Sequence, residues 1–291
     1  MCLFLEDGRI ISANDRMIRA ISPEGEILWE KTGNYHHQIH LMNDGQSMLV
    51  LSSDIQQEKG EMVRYDHFVN FNLDGDVLKE KSFRTLGNEF LDNKVSQVFQ
   101  EFFLNTTRER SHFNSIYEIG DVKENPLYPG IKKGNFIANS LFLGIFILSS
   151  DLQKLEHRFK LPGSQDHLVH DVQVLPNGNL LVFNNLNKLR EGVFLESAMQ
   201  EIEPSTLKVV YSFSGEKGVP LYSSHCGGVQ KLDEEHYLYS HMINGNYIVS
   251  RKSGKIIKSI FEPNLTLGRI TPVQNLRLVK ISEKFINIHL K

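Results

Sequence analysis

Four histidines, His37, His112, His170 and His225, stand at or near the start of one repeated pattern in segments that otherwise share little. The fullest copy runs His170-Asp171-Val172-Gln173-Val174-Leu175-Pro176-Asn177-Gly178-Asn179-Leu180-Leu181-Val182-Phe183. It reads as a histidine, a short strand, an Asn-Gly turn and a second strand. His37 lies eight residues before Gly45 and His170 eight before Gly178, while His112 opens a strand in a similar way. When Gln230-Lys231-Leu232 is aligned with Gln173-Val174-Leu175, His225 falls two residues before the matching position. Histidines at one end of a repeated strand pair converge if the repeats surround an axis. Converging imidazoles repel one another's charge, which favours keeping at least one neutral and nucleophilic near neutral pH. Protonated neighbours then stabilise negative charge on an oxyanion or on a sulfuryl or phosphoryl group.

Two other readings of the same residues compete. A single histidine at such a place is an ordinary satisfied strand cap, and it is the repetition that argues for convergence. Neutral imidazoles around an axis could also bind zinc or a similar ion. No HxH or HxxxH pair with a carboxylate partner is distinctive, however, and His37 and His40, three apart on a strand, point to opposite faces. No metal or other cofactor is expected. His67, His157, His236, His241 and His289 fall outside the register and read as structural or surface residues.

The elements that must position the histidines are strands. A second signature recurs: an apolar strand, a small turn and another strand, as in Ile18 to Trp29, Val69 to Leu78, Ile145 to Leu152, Gln200 to Tyr211 and Tyr247 to Ile257. Equivalent turn residues at 24, 74, 150, 205 and 253 are separated by 50, 76, 55 and 48 positions. A period near 50 residues made of short strands and tight turns is the signature of a β-propeller blade. Each such meander has two apolar faces and buries both only between neighbouring copies. The wide interval carries an insertion, where Phe90, Leu91, Val95, Val98, Phe99, Phe102 and Phe103 recur at helical spacing and predict a short helix around 88–104. Five units are legible, and 269–291 supply material for one or two further strands. The expectation is therefore an all-β, six-bladed propeller forming a single domain over 1–291.

A formal net charge of −3 offers no polyanion-binding surface, which argues against a nucleic-acid partner. The longest apolar stretch, Leu141 to Leu148, is eight residues and interrupted by Gly144, too short to span a bilayer, so no membrane partner is expected. Cys2 and Cys226 make neither a disulfide framework nor a CxxC pair. The start Met1-Cys2-Leu3-Phe4-Leu5-Glu6-Asp7-Gly8 has no basic n-region and no small-residue cleavage site. As it stands the chain reads as cytoplasmic, or as periplasmic if a leader has been removed.

At the His170–Asn185 segment, at His112-Phe113-Asn114-Ser115-Ile116 and in the repeated turn units, the chain resembles the bacterial arylsulfotransferases that use no nucleotide sulfate donor. The resemblance covers roughly residues 1–260 and implies a six-bladed propeller with ping-pong sulfuryl transfer. A channel histidine would attack the sulfur of a phenolic sulfate, release the phenol, and pass the group from sulfohistidine to an acceptor phenol. The resemblance implies that His170 is the nucleophile, that His112 and Asn114 form the His-x-Asn motif that helps to hold the sulfuryl group, and that His37 is a further channel histidine; His225 joins them as a candidate through the repeat. Where the family carries an arginine on the strand after that motif, this chain has 136–144, with Leu141 near the expected position. Lys188 and Arg190, read as loop residues after the second strand of the His170 blade, are the candidate substitutes. The partners implied are a small aryl sulfate and a phenol. The alternative is a catalytically degenerate propeller that binds a small anionic or aromatic ligand or a protein partner.

Overall fold

The computed structural model describes residues 1–87, 107–109, 111–141, 143–159, 169–190, 193–216, 219–220, 223, 226–241 and 245–260. Among these residues the strands form five antiparallel meanders of four strands, the blades of a β-propeller, one of them joined by a fifth strand that pairs in parallel. Blade 1 is β1 (Cys2–Phe4), β2 (Ile10–Ala13), β3 (Met17–Ile21) and β4 (Ile27–Thr32). Blade 2 is β5 (Tyr35–Leu41), β6 (Ser47–Glu58), β7 (Glu61–Asn72) and β8 (Val77–Ser82), followed by the one-turn helix α1 (Phe83–Leu86) and by β9 (Thr107–Glu109). Blade 3 is β10 (Phe113–Glu118), β11 (Phe136–Ser140), β12 (Gly144–Leu148) and β13 (Leu155–Phe159). Blade 4 is β14 (Val169–Val174), β15 (Leu180–Arg190), β16 (Val193–Glu203) and β17 (Lys208–Phe213). A two-residue pair, β18 (Gly215–Glu216) and β19 (Val219–Pro220), precedes blade 5, which is β20 (Gly228–Lys231), β21 (His236–His241), β22 (Gly245–Ser250) and β23 (Lys255–Ile260).

The count of five corrects the expectation of six. The sixth unit was assembled from 269–291, which lie outside the described residues, as does the helix expected around 88–104; the described helix is the single turn α1 just before it. Lys188 and Arg190 are also corrected. Both belong to β15, where their backbones pair with Glu196 and Val193 of β16, rather than to a loop.

Packing divides the described residues into two compact units, one containing blades 1 to 3 and the other blades 4 and 5. In the first unit the apolar run Met48-Leu49-Val50-Leu51 of β6 shows why blades need neighbours. Alternate side chains of a strand leave opposite faces. Met48 and Val50 accordingly pack with Ile11, Ile18 and Ala20 of blade 1. Leu49 and Leu51 pack with Phe113, Ile116 and Phe146 of blade 3. Both faces are buried, and each large side chain removed from water contributes about 1.5–3 kcal/mol. Trp29 adds a polar tie between blades 1 and 2, donating from Nε1 to the Leu73 carbonyl at 3.0 Å.

The second unit repeats the logic. Leu181, Phe183 and Met199 of blade 4 pack with Val229, Tyr237, Tyr239 and Val249 of blade 5. The turn glycine of the His170 segment, Gly178, has φ 88° and donates to the Leu175 carbonyl at 2.8 Å. Gly45 holds the equivalent place with φ 66°. A side chain is strained in that backbone conformation, which explains why the pattern carries glycine eight residues after His37 and after His170.

Candidate functional site

The ladders give the histidines a common frame. At the end of the first strand, Met42, Ile119, Leu175 and Leu232 donate across the turn or loop to Ser47, Asn135, Asn179 and His236. Five residues before these donors stand His37, Asn114, His170 and Gly227. His37 and His170 therefore share a structural position, as their spacing predicts. His112 does not: Asn114 takes that place in blade 3, and His112 lies two residues earlier. His225 is two residues before Gly227 in sequence and lies outside the described residues.

The shared position is irregular. Pairing with the second strand slips between Tyr35 and Ile39, between Phe113 and Ser115, and between Val169 and Asp171. Such a bulge re-aims a side chain away from simple alternation. The next residue ties blades together. Gln38 accepts from the Ile116 N–H at 2.8 Å in the first unit, and Asp171 accepts from the Val229 N–H at 3.1 Å in the second. The Asp of the His170-Asp171 pair thus has an architectural job. In blade 5, Gly227 has φ 148°, and a Cβ there would sit 2.2 Å from Cζ of Phe183. Substituting Gly227→Ala is expected to cost about 3 kcal/mol, read as a lower urea midpoint.

In the first unit the structure gathers a cluster around His37 and His112. Their rings lie 5.1 Å apart at 70°. Both residues have left-handed backbones, φ 57° and 49°. The other non-glycine residues with positive φ among the described residues, Lys59, Leu152 and Leu207, are in turns. Strain of roughly 1–3 kcal/mol at a residue outside a turn is the kind that accumulates at functional sites.

Behind each ring stands a carboxylate. His112 Nδ1 is hydrogen-bonded to Glu109 Oε2, and Arg64 Nη1 binds Glu109 Oε1 at 2.7 Å. His36 Nδ1 lies 2.7 Å from His37 Nδ1, and His36 Nε2 lies 3.0 Å from the Ser52 carbonyl and 3.1 Å from Asp66 Oδ1. Ser111 donates its hydroxyl to Asp66 Oδ2, and the Ser140 hydroxyl donates to the Ser111 carbonyl. Burial pushes the Asp66 carboxyl up, but hydrogen bonds from His36 and Ser111 and the charges of His36 and Arg64 outweigh it and hold the group at about 2. Burial likewise works against ionisation of Glu109, and the His112 hydrogen bond with the nearby positive charges overcomes it, leaving its carboxyl below the ordinary value.

A carboxyl depressed on folding contributes stability above its unfolded pKa, near 4, which is lost as pH falls through its folded value. For Asp66 that window runs from about pH 4 down to about pH 2, and the contribution is about 2 kcal/mol. Acid titration of folding stability in wild type and Asp66→Asn checks this: the variant is expected to lose correspondingly less across the window.

Arg64, Asp66, Glu109 and His36 carry no signal in the repeat pattern. Arg64 and Asp66 lie one alternation apart on the extension of β7, and β9 brings Glu109 to Arg64 by parallel pairing past the end of β8. Leu141, near the place expected of an arginine, is buried and donates its backbone N–H to the His112 carbonyl at 2.8 Å. Among the described residues, Arg64 is a cation that joins this cluster through Glu109. His40 packs edge-on against Tyr117 at 5.2 Å, and burial lowers its pKa to about 4, so it is neutral near pH 7. Among the described residues no group of three His, Cys, Asp or Glu side chains is arranged to hold a metal ion, and no helix is long and apolar enough to cross a membrane.

His170 belongs to the second unit, buried at 6% exposure on β14, with Asn184 paired to its neighbour Val169. Asn114 is fully buried on β10.

No protein-family model matches the chain, and no curated protein matches it. Solved structures do. A Bacteroides caccae protein of unknown function is similar at 13% identity over 89% of this chain and 80% of its own, with a TM-score of 0.54. The β-propeller domain of Myceliophteria thermophila Cps50 (Swd1) is similar at 13% identity over 94% and 68%, with a TM-score of 0.47. The WD40 β-propeller domain of Doa1 is similar at 12% identity over 87% and 64%, also with a TM-score of 0.47. At such identities the likeness is one of fold alone.

Proposed function

We propose that the protein is an arylsulfotransferase-like propeller, taking 1–291 as one functional domain, that moves a sulfuryl group from a phenolic sulfate to an acceptor phenol through histidine. In the first half-reaction an N–S bond forms to His170 as the S–O bond to the leaving phenol breaks. In the second, the acceptor oxygen takes the sulfuryl group and the electron pair of the N–S bond returns to the imidazole. His37, His112, Asn114 and His225 are assigned to neutralising the sulfuryl oxygens, with Lys188 and Arg190 as further cationic candidates. The observation that carries the reading is the facing pair His37 and His112. Each holds Nδ1 against a carboxylate-backed partner, which orients the ring. Triads use the same logic, a base oriented by a third group.

A second reading has its own observation. Glu109 already neutralises Arg64, and Leu141 stands beside His112. This favours a propeller that binds a small anionic or aromatic ligand, or a protein partner, without turnover. Incubation with 4-nitrophenyl sulfate and phenol separates the two. Nitrophenol release that depends on phenol supports transfer. Calorimetric binding of 4-nitrophenyl sulfate with no release above buffer assigns the second reading and removes the first.

A further inference from the structure

The histidine cluster uses one face of β7, and a second group of polar side chains occupies the other. Asp66 turns to the cluster, so alternation along the strand sends its neighbours Tyr65 and His67 to the opposite face. His67 pairs with Ser52 on one side and with Ser82, the last residue of β8, on the other, and paired residues share a face. Tyr65 pairs with Asp54, and Gln56 follows two residues further along β6 on that same face. From Phe83 the chain turns into α1, which adds Arg84 and Thr85. Gln56, His67, Ser82, Arg84 and Thr85 line one cavity of about 550 Å³, within the range of small-molecule sites.

Arg84 is held in place there. Its guanidinium lies over the Tyr65 ring at 5.1 Å, donates from Nη1 to Gln56 and sets Nη2 2.9 Å from Glu58 Oε1. Gln56 is anchored in turn, donating to Asp54. Those contacts engage two of the five N–H groups of a guanidinium, and the side chain is 45% exposed, so donors remain for the cavity. Ser82 Oγ accepts the Arg84 backbone N–H at 3.2 Å, which leaves the hydroxyl hydrogen for another partner. The Thr85 hydroxyl donates to the Ser82 carbonyl at 2.8 Å and fixes the turn. His67 Nε2 is buried and has no hydrogen-bond partner. A buried ring nitrogen in that state is uncommon and points to a partner brought by a ligand.

We propose that this cavity binds a sulfate or phosphate monoester by its oxyanion head, with Arg84, the Ser82 hydroxyl and the Nε2 hydrogen of His67 as donors. A guanidinium, a hydroxyl and an imidazole N–H carried by different elements suit the spread oxygens of a tetrahedral anion. The cavity is much larger than a bare oxyanion, which leaves room for the organic part of an ester. Glu58 offsets part of the Arg84 charge, so binding is expected in the millimolar rather than the micromolar range. The site does not rest on sulfuryl transfer, since its residues share no side chain with the histidine cluster.

Nitrogen NMR of the full chain carrying ¹⁵N-histidine tests the site, with phenyl sulfate, phenyl phosphate or inorganic sulfate titrated at constant ionic strength and no acceptor phenol present. The expected result is a saturable shift of His67 Nε2 with a phenyl ester, at a Kd about tenfold below that of inorganic sulfate. The tighter of the two esters names the head group. In Arg84→Gln the Kd should rise at least about tenfold, because a charge-assisted hydrogen bond is lost. If that variant does not fold, Ser82→Ala is read instead, and its Kd should rise several-fold. No saturable shift at His67 with any of the three, or an unchanged Kd in the variant, overturns the site. A shift at His36 with none at His67 moves the anion to the histidine cluster and overturns it as well. Inorganic sulfate bound as tightly as the esters overturns the assignment to an ester.

Discussion

His170→Ala is expected to reduce nitrophenol release from 4-nitrophenyl sulfate by at least about 10³-fold, because covalent transfer has no second route once its nucleophile is gone. The effect should fall on kcat, with binding of 4-nitrophenyl sulfate changed far less. His170 is buried at a bulge of β14, so the substitution also leaves a small void. His170→Asn is the companion variant, filling most of that space with a side chain that cannot form the sulfohistidine. Both variants retaining the wild-type thermal transition and losing release identifies a chemical role. Release that survives in both at the wild-type rate moves the nucleophile elsewhere, and His37, at the same structural position in blade 2, is then the first residue to test.

A large stability effect is expected at Glu201→Ala, about 3 kcal/mol, seen as a fall in the urea midpoint and in Tm. Glu201 is 1% exposed and gathers donors from two blades. Asn177 and Asn179 donate to Oε1 at 3.0 and 2.9 Å. Tyr237 donates to Oε2 at 3.2 Å, and Arg251 donates there from Nε and Nη2 at 3.1 and 3.0 Å. Removing the carboxylate strands the buried Tyr237 hydroxyl and leaves a cavity, while Arg251, partly exposed, can turn to water. Glu201→Gln keeps acceptor oxygen at the same place and should cost markedly less. Burial raises the Glu201 carboxyl, but the Asn179, Asn177 and Arg251 hydrogen bonds with the Arg251 charge hold it below the ordinary value. Its stabilisation is accordingly present above the unfolded carboxylate pKa and disappears as pH falls below it, so acid should narrow the gap between wild type and Glu201→Ala.

The blades were legible because their signals are local. A turn glycine with positive φ and an apolar run such as Met48 to Leu51 lie within one hairpin. The equivalence of His37 and His170 was legible for the same reason, since each is counted back from such a turn. His112 opens its strand as expected, but its register could not be counted in the same way because blade 3 lacks that anchor: β10 ends at Glu118 and β11 begins only at Phe136. Asn114, already singled out beside it, proved to occupy the shared position.

The acidic side of the cluster was hidden for a different reason. Arg64, Asp66 and Glu109 sit on an extension of the β6–β7 hairpin and on β9, outside the repeating part of the blade. Glu109 meets Arg64 across 45 residues of sequence, and no periodicity reports such a contact. His36 was masked by its neighbour, because alternation separates adjacent strand residues and only the left-handed conformation of His37 brings the two rings together. Departures from repeat geometry thus built most of the site.

The central claim, transfer of a sulfuryl group through His170, is tested most directly by trapping the intermediate. The protein is pulsed with 4-nitrophenyl sulfate in the absence of phenol, digested under alkaline conditions, and its peptides are weighed. The expected result is one sulfuryl group on the peptide containing His170, absent from His170→Ala and lost when phenol is added before digestion. Continued release of nitrophenol with no adduct, or an adduct on another residue, would contradict it.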